Sequence, residues 1–401
     1  MLCGKSRCPL MVKLYSRFKV EQLLGLSSLS GSSPPGVFIG RIGYPYVSIG
    51  PLVPPRSGDT GILDTPELWL GKTIDEIVDF RSTLVRGKHR VHVMNVDAGG
   101  KICDIVRELA LASSPTDVEV EFLKKPRANL ILNDELQPFG PSAPLKNISV
   151  GSFRIDNRIE KAYSDSDLKA SEAVLSLYDR GVLVSRIQKA FSVGAFGIKG
   201  QRRFVPTRWS ITAVDSLISN SLLEAVKKYP LINDYRVYES GYLDNRFEIV
   251  MMPESWSYES MEAWYPGTAW NPRSHSPVIL SDWEGFKGRT TYAAIGGCYY
   301  AARLAVAELL SRERRQAEVL VLREVHPGYI MPVGVWQVRE NVRNAMRQHP
   351  HKFNTLYETL SYISSKLSIG IEKWIQASAL LQRAIKQRKI TEFTTKHPVI
   401  S

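Results

Sequence analysis

The chain has 401 residues, 44% of them hydrophobic and 9% aromatic, with 52 Lys+Arg against 40 Asp+Glu for a formal net charge of +12. That length suffices for two ordinary domains with buried cores. No apolar run approaches the ~20 residues of a membrane span, and the start, Met1-Leu2-Cys3-Gly4-Lys5-Ser6, has no signal-peptide apolar region, so a soluble cytoplasmic protein is expected.

Taken along the chain, Ser27 to Gly36 is a run of Ser, Gly and Pro that predicts a flexible linker. Phe38 to Leu52 is dense in Gly and Pro and predicts short strands joined by tight turns. Ile74, Ile77, Val78, Arg81, Leu84 and Val85 recur at helical spacing, as do Ile102, Ile105, Val106 and Leu109. Val118 to Phe122 alternates as a strand does. Helices are predicted over Leu168 to Arg180, closed by Gly181, and over Ile211 to Val226. Tyr235 to Ser240 and Arg246 to Met252 predict paired strands, while Trp256 to Trp270 has no clear period. From about Gly285 the pattern is a helix (Tyr299 to Arg315), a strand (Val319 to Arg323) and three closing helices near Trp336 to Arg347, Phe353 to Leu367 and Ile371 to Lys386. The expected class is α+β, with a mixed N-terminal region over 1–285, a helix-rich C-terminal region over 286–386 and a tail over 387–401.

The charge is uneven. From Ser311 to Ser401 there are 15 Lys+Arg and 7 Asp+Glu, so this quarter carries +8 of the +12. A concentration of that kind points to a polyanion, with nucleic acid the leading choice; solubility in a cell with a generally basic or salt-adapted proteome is the plain alternative. Arg339, Arg343 and Arg347, spaced i, i+4, i+8, make one ridge along a helix. With Arg312, Arg314 and Arg315 they form a candidate phosphate-binding surface; a solvated face is the plain alternative. A second candidate is Val205-Pro206-Thr207-Arg208-Trp209-Ser210, just before a helix. There Arg202, Arg203 and Arg208 are placed to grip phosphates and Trp209 to stack on a base. The plain reading is a helix cap with a buried Trp and an Arg paired to Asp215.

Other motifs carry less. Gly71-Lys72-Thr73 imitates the end of a P-loop, but the upstream glycine position holds Pro66. Cys3 and Cys8 supply half of a tetrahedral zinc site; the remaining ligands would have to come from Cys103, Cys298, His89 or His92. Nothing in the spacing of Glu308, Glu324, His326, Asp59, Asp64 and Asp134 selects an acid or base, so no catalytic residue is assigned.

The tail is more specific. Gln387, Ile390 and Phe393 stand at the spacing Gln-x-x-aliphatic-x-x-aromatic, with Thr394 where a second aromatic usually follows. One turn places Ile390 and Phe393 side by side as an apolar plug and leaves the Gln387 amide for the pocket rim. Such boxes dock proteins on the sliding clamp (PCNA).

Several strings resemble the archaeal Nre family of DNA repair proteins. They are Leu2-Cys3-Gly4-Lys5 with Cys8-Pro9, Gly40-Arg41 with Gly43-Tyr44-Pro45, Val205 to Ser210, Gly296-Gly297-Cys298-Tyr299-Tyr300 and Pro332 to Trp336. The resemblance extends to Phe393 and favours the branch that ends in a clamp-binding box. It implies a nucleoid-associated repair role, recruited by the sliding clamp, with no settled reaction. It also implies a four-cysteine zinc finger in many relatives, of which this sequence shows only Cys3 and Cys8. The alternative is a nucleotide- or DNA-modifying enzyme with its pocket near Gly40 to Pro51 and Arg208-Trp209.

Overall fold

The structure, a computed structural model, describes residues 25–127 and 139–386, together with residues 12, 15 and 21. Two compact units are formed, one from residues up to Glu224 with Pro327–Asn341, the other from Ala225–His326 and from Val342 onward. These limits fall elsewhere than the 285/286 division of the sequence regions. The class is α+β in both.

The first unit is built on a six-stranded sheet: β1 (Ser28–Ser33), β2 (Val37–Ile39), β3 (Tyr46–Val53), β4 (Val85–His92), β5 (Thr116–Phe122) and β6 (Ser142–Val150), in the order β1-β5-β6-β4-β3-β2. Only β4 and β6 run parallel. β1 lies within the stretch predicted as a linker. Its serines are there to be buried: Ser32 donates to Asp117 and Ser33 to the Leu52 carbonyl. Gly31 is required because a Cβ there would stand 1.9 Å from the Pro54 carbonyl oxygen.

The helices of this unit are α1 (Ile74–Ser82), α2 (Lys101–Leu111), α3 (Asn157–Ser164), α4 (Ala170–Asp179), α5 (Val184–Ser192) and α6 (Thr207–Val226). α2 packs on β3 and β6 with Cys103, Val106 and Leu109 fully buried. Thr73 is the N-cap of α1: its hydroxyl accepts from the Glu76 N–H, and the Glu76 carboxylate accepts from the Thr73 N–H. This reciprocal capping box accounts for the Gly-Lys-Thr string as a helix start. α1 and the turn before it (Gly61–Asp64) cover one end of the sheet, where Leu52, Leu63, Leu84, Phe38 and Phe80 cluster.

The second unit has strands β7 (Tyr235–Tyr242), β8 (Asn245–Met252), β9 (Ser257–Trp264), β10 (Val278–Glu284), β11 (Glu318–Val325) and β12 (His351–Phe353), in the order β10-β9-β11-β8-β7-β12. The stretch without a clear period is β9, next to β11 and buried on both faces, which is why it does not alternate. α7 (Gly297–Glu313) covers one face, where Tyr258 donates to the Tyr299 carbonyl. α8 (Trp336–Ala345) contains the unit limit at 341/342. α9 (Leu356–Lys366), α10 (Ile371–Ala377) and α11 (Ala379–Lys386) cover the other face through Ile363, Leu367, Trp374 and Leu381. The wholly buried Glu259 carboxylate accepts from the N–H groups of Ala379 and Leu380 and from the Ser378 hydroxyl, and so caps α11 from beneath. Among the described residues no helix is long and apolar enough to cross a membrane.

Candidate nucleic-acid interface

β4 reads Val-Arg-Gly-Lys-His-Arg-Val-His. Alternation along a strand puts Val85, Gly87 and Val91 on the face packed inward, and Arg86, Lys88, Arg90 and His92 on the other. Opposite them β3 aligns Leu52 with Arg86, Ser48 with Arg90 and Tyr46 with His92. The result is a basic ridge of about 20 Å, at ~3.3 Å per residue. It is half-buried at Arg86, where α1 covers the sheet, and open at Arg90.

At the open end the turn from Gly40 to Tyr46 presents Tyr44 and Tyr46, about half exposed, and Ile42, 91% exposed. Gly43 makes the turn possible with φ of +86°. The Arg90 guanidinium lies over the Tyr46 ring at 5.7 Å, and Tyr46 meets His92 edge to face at 5.0 Å. The edge strand β2 is fastened to the first turn of α6 by the Ile39 N–H, which donates to the Thr207 hydroxyl at 3.0 Å. That bond sets Trp209, 44% exposed, against Tyr44 with ring centroids 5.1 Å apart. Arg41, Arg90 and Arg208 are all exposed around these rings. Open aromatic faces among arginines are the composition of a stacking platform for unpaired bases.

At the covered end the Arg86 guanidinium sits between Phe139, 4.5 Å from its centroid, and Phe38 at 4.8 Å. Among the described residues it makes no hydrogen bond or ion pair, and its Nε is buried. Burial, helped by the charge of Arg81, draws its pKa down to about 10. Ring faces return only about 0.5–2 kcal/mol of a cation's lost hydration. Arg81 and Lys189 both bind Asp64, at 2.8 and 2.9 Å. Arg81 thus bonds Asp64 while its charge also bears on Arg86.

The sequence candidates fare unequally. Arg208 and Trp209 are at the surface and beside Gly40 to Tyr46, as their reading requires. Trp209 is not the buried Trp of the alternative, and Asp215 pairs with Arg339. Arg202 is buried and donates to the carbonyls of Gly197 and Asp165. The ridge of Arg339, Arg343 and Arg347 does not form a common surface. Arg339 is 1% exposed, its charge spent on Asp215, because the helix that carries it is buried on that side. Arg343 grips Glu308 through two bonds of 2.6 and 2.8 Å. Arg347 remains exposed and, with Arg312, Arg343 and Glu308, lines a pocket of about 240 Å³. The β4 ridge escaped the sequence reading, although a basic residue at every second position, Arg86, Lys88 and Arg90, signals it.

Cys103 is buried, its thiol pushed up to about 11 by burial. Among the described residues no three His, Cys, Asp or Glu side chains gather as metal ligands. Cys3, Cys8, Gln387, Ile390, Phe393 and Thr394 lie outside the described residues.

Two family models match the chain: archaeal Nre, N-terminal, over residues 2–271, and archaeal Nre, C-terminal, over residues 284–393. A protein of Archaeoglobus fulgidus named DNA repair protein NreB is 45% identical over 98% of this chain and 97% of its own length. DNA repair protein NreA of the same organism is 37% identical over 92% of each chain. DNA repair protein NreA of Haloferax volcanii is 34% identical over 88% of this chain and 86% of its own. No solved structure matches. With both models matched and these relatives aligned over most of their length, the chain belongs to the archaeal Nre family.

Proposed function

We propose that this chain is a DNA repair protein that holds a single DNA strand along the β4 ridge and is recruited by the sliding clamp through its tail. The repair role is supported by the names of its relatives. The observation that carries the DNA contact is the exposed Tyr44–Trp209 pair, its tyrosine in the turn whose Tyr46 lies under the exposed Arg90. Phosphates lie against the arginines and unpaired bases stack on the rings, which demands no particular sequence. The clamp contact rests on Gln387, Ile390 and Phe393 alone, with Thr394 in place of the second aromatic. Its expected location is the cytoplasm, at the nucleoid.

The test is a titration of labelled single-stranded DNA with the full chain, followed by its own organism's sliding clamp with the full chain and with one ending at Ala384. The reading expects strand binding that weakens steeply with salt, and clamp binding that is lost with the tail. A protein that takes up no strand at low salt overturns the DNA contact. Clamp affinity unaltered by truncation overturns the recruitment.

A further inference from the structure

We propose that the turn from Gly40 to Tyr46 is a wedge, and that the DNA it selects is the junction where a duplex opens into a single strand. Ile42 at its tip stands against the last base pair, while Tyr44 and Trp209 take the bases of the unpaired strand. The inference rests on the strand-binding reading above and names the substrate class of that surface.

Three observations carry it. The first is the side chain at the tip. Ile42 is 91% exposed, more than any other large hydrophobic side chain among the described residues. An isoleucine so placed gains nothing from folding, and a turn is better served by Gly, Asn, Asp or Ser. Single exposed apolar side chains are ordinary, but this one has company. Tyr44 and Tyr46 in the same turn, and Trp209 against Tyr44, are all about half exposed. A β-branched side chain is stiff at χ1, and an apolar wedge inserted at a base step is how proteins unstack a duplex.

The second is the bracing of the turn. The Gly40 N–H donates to the Ser48 carbonyl at 2.8 Å, the Tyr44 N–H to the Arg41 carbonyl at 3.3 Å and the Tyr46 N–H to the Gly43 carbonyl at 2.9 Å. The Val93 N–H donates to the Pro45 carbonyl at 3.0 Å, which ties the turn to the residue after β4. Gly43, in the left-handed region, lets the chain reverse directly after Ile42. A tip braced in this way holds Ile42 in place against a stacked duplex, where a loose loop would yield.

The third is position. β3 begins at Tyr46, opposite His92 at the end of β4. The turn therefore lies just past the end of the basic ridge, and a strand running along Lys88 and Arg90 arrives at the rings and the tip together. A junction brings the phosphates of two diverging strands to this place. Arg41 beside Ile42 and Arg208 beside Trp209 are both exposed to meet them.

The experiment uses the full chain and three DNAs of one sequence: a single strand, a blunt duplex, and a duplex with one unpaired arm. In the last, 2-aminopurine replaces the adenine of the final pair before the arm, and its emission rises when it unstacks. The armed duplex is expected to bind about tenfold tighter than the blunt duplex and about fivefold tighter than the single strand, with emission rising at least twofold. Ile42→Ser is expected to remove that rise and to bring the ratio of armed duplex to single strand below twofold, at an unchanged melting temperature. Trp209→Ala weakens the armed duplex and the single strand together, and the ratio between them persists. Should these two DNAs bind the parent alike with unchanged emission, the wedge is overturned and the ridge stands. A rise in emission that Ile42→Ser fully retains also overturns it, because the opening then belongs to another group. Should no DNA bind, the strand-binding reading falls and the inference with it.

Discussion

Arg339 and Asp215 form a buried ion pair, the guanidinium Nη1 reaching both carboxylate oxygens at 3.0 and 3.1 Å with neither side chain more than 1% exposed. The Asp215 carboxylate also accepts from the Gln188 amide at 2.8 Å. Removing the cation leaves a buried carboxylate uncompensated, so Arg339→Met is expected to cost about 3–5 kcal/mol of stability. Denaturant unfolding of the variant measures it. A loss below 1 kcal/mol would show that Asp215 finds other compensation.

Trp209 is exposed, so its truncation should act on binding and leave folding intact. Trp209→Ala is expected to weaken single-strand binding by about 1–3 kcal/mol, the contribution of one stacked base, with an unchanged melting temperature. Equal affinity for variant and parent in an anisotropy titration counts against the stacking platform.

Arg90 is expected to act through phosphate. Arg90→Ala should reduce the slope of log K against log salt by about 0.7, the value for one contact on a single strand. Affinities at four or five salt concentrations give the slope. Parallel lines for variant and parent would remove Arg90 from the interface.

Phe393→Ala should cost roughly 2 kcal/mol or more of clamp binding, as truncation of a buried aromatic anchor does. Calorimetric titration of the clamp reads this directly, and unchanged affinity would reduce the tail box to a coincidence of spacing.

Glu248 is 1% exposed on β8, opposite Glu239 on β7, and burial followed by the Glu239 charge pushes its carboxyl up to about 8. A folded-state pKa above the free value of 4.5 means that the folded protein holds the proton more tightly. Between those two pH values the folded state binds more protons than the unfolded state, so stability falls as pH rises through that window. Glu248→Gln is therefore expected to stabilise the protein by a few kcal/mol near pH 8.5 and to be close to neutral at pH 4. Thermal melts at both pH values decide it; the same difference at each would exclude titration of Glu248 as the cause.

Much of this fold is legible where one face of an element meets solvent. β5 alternates without a break because its outer face is wet, and Gly181 ends a helix with φ of +74° where the sequence places the stop. The sequence misleads where burial comes from close backbone approach instead of large side chains. Gly31, Ser32 and Ser33 have the composition of a linker, yet they make a buried strand because a carbonyl stands where a Cβ would be. Arg339 defeats periodicity for a related reason. Spacing gives the side of a helix, and only the packed partner, Asp215, tells whether that side faces water. Arg208 and Trp209 were readable because they stand at a helix start. The Tyr44 contact that completes their surface is a long-range pairing that no local pattern carries.

The carboxylate of Glu259, pinned under the first turn of α11, has a mechanical consequence. α11 cannot peel away from β9 without leaving that buried charge short of its three donors. A pull on the chain beyond Lys386 is therefore borne by the sheet itself, through a helix whose first turn is pinned to it.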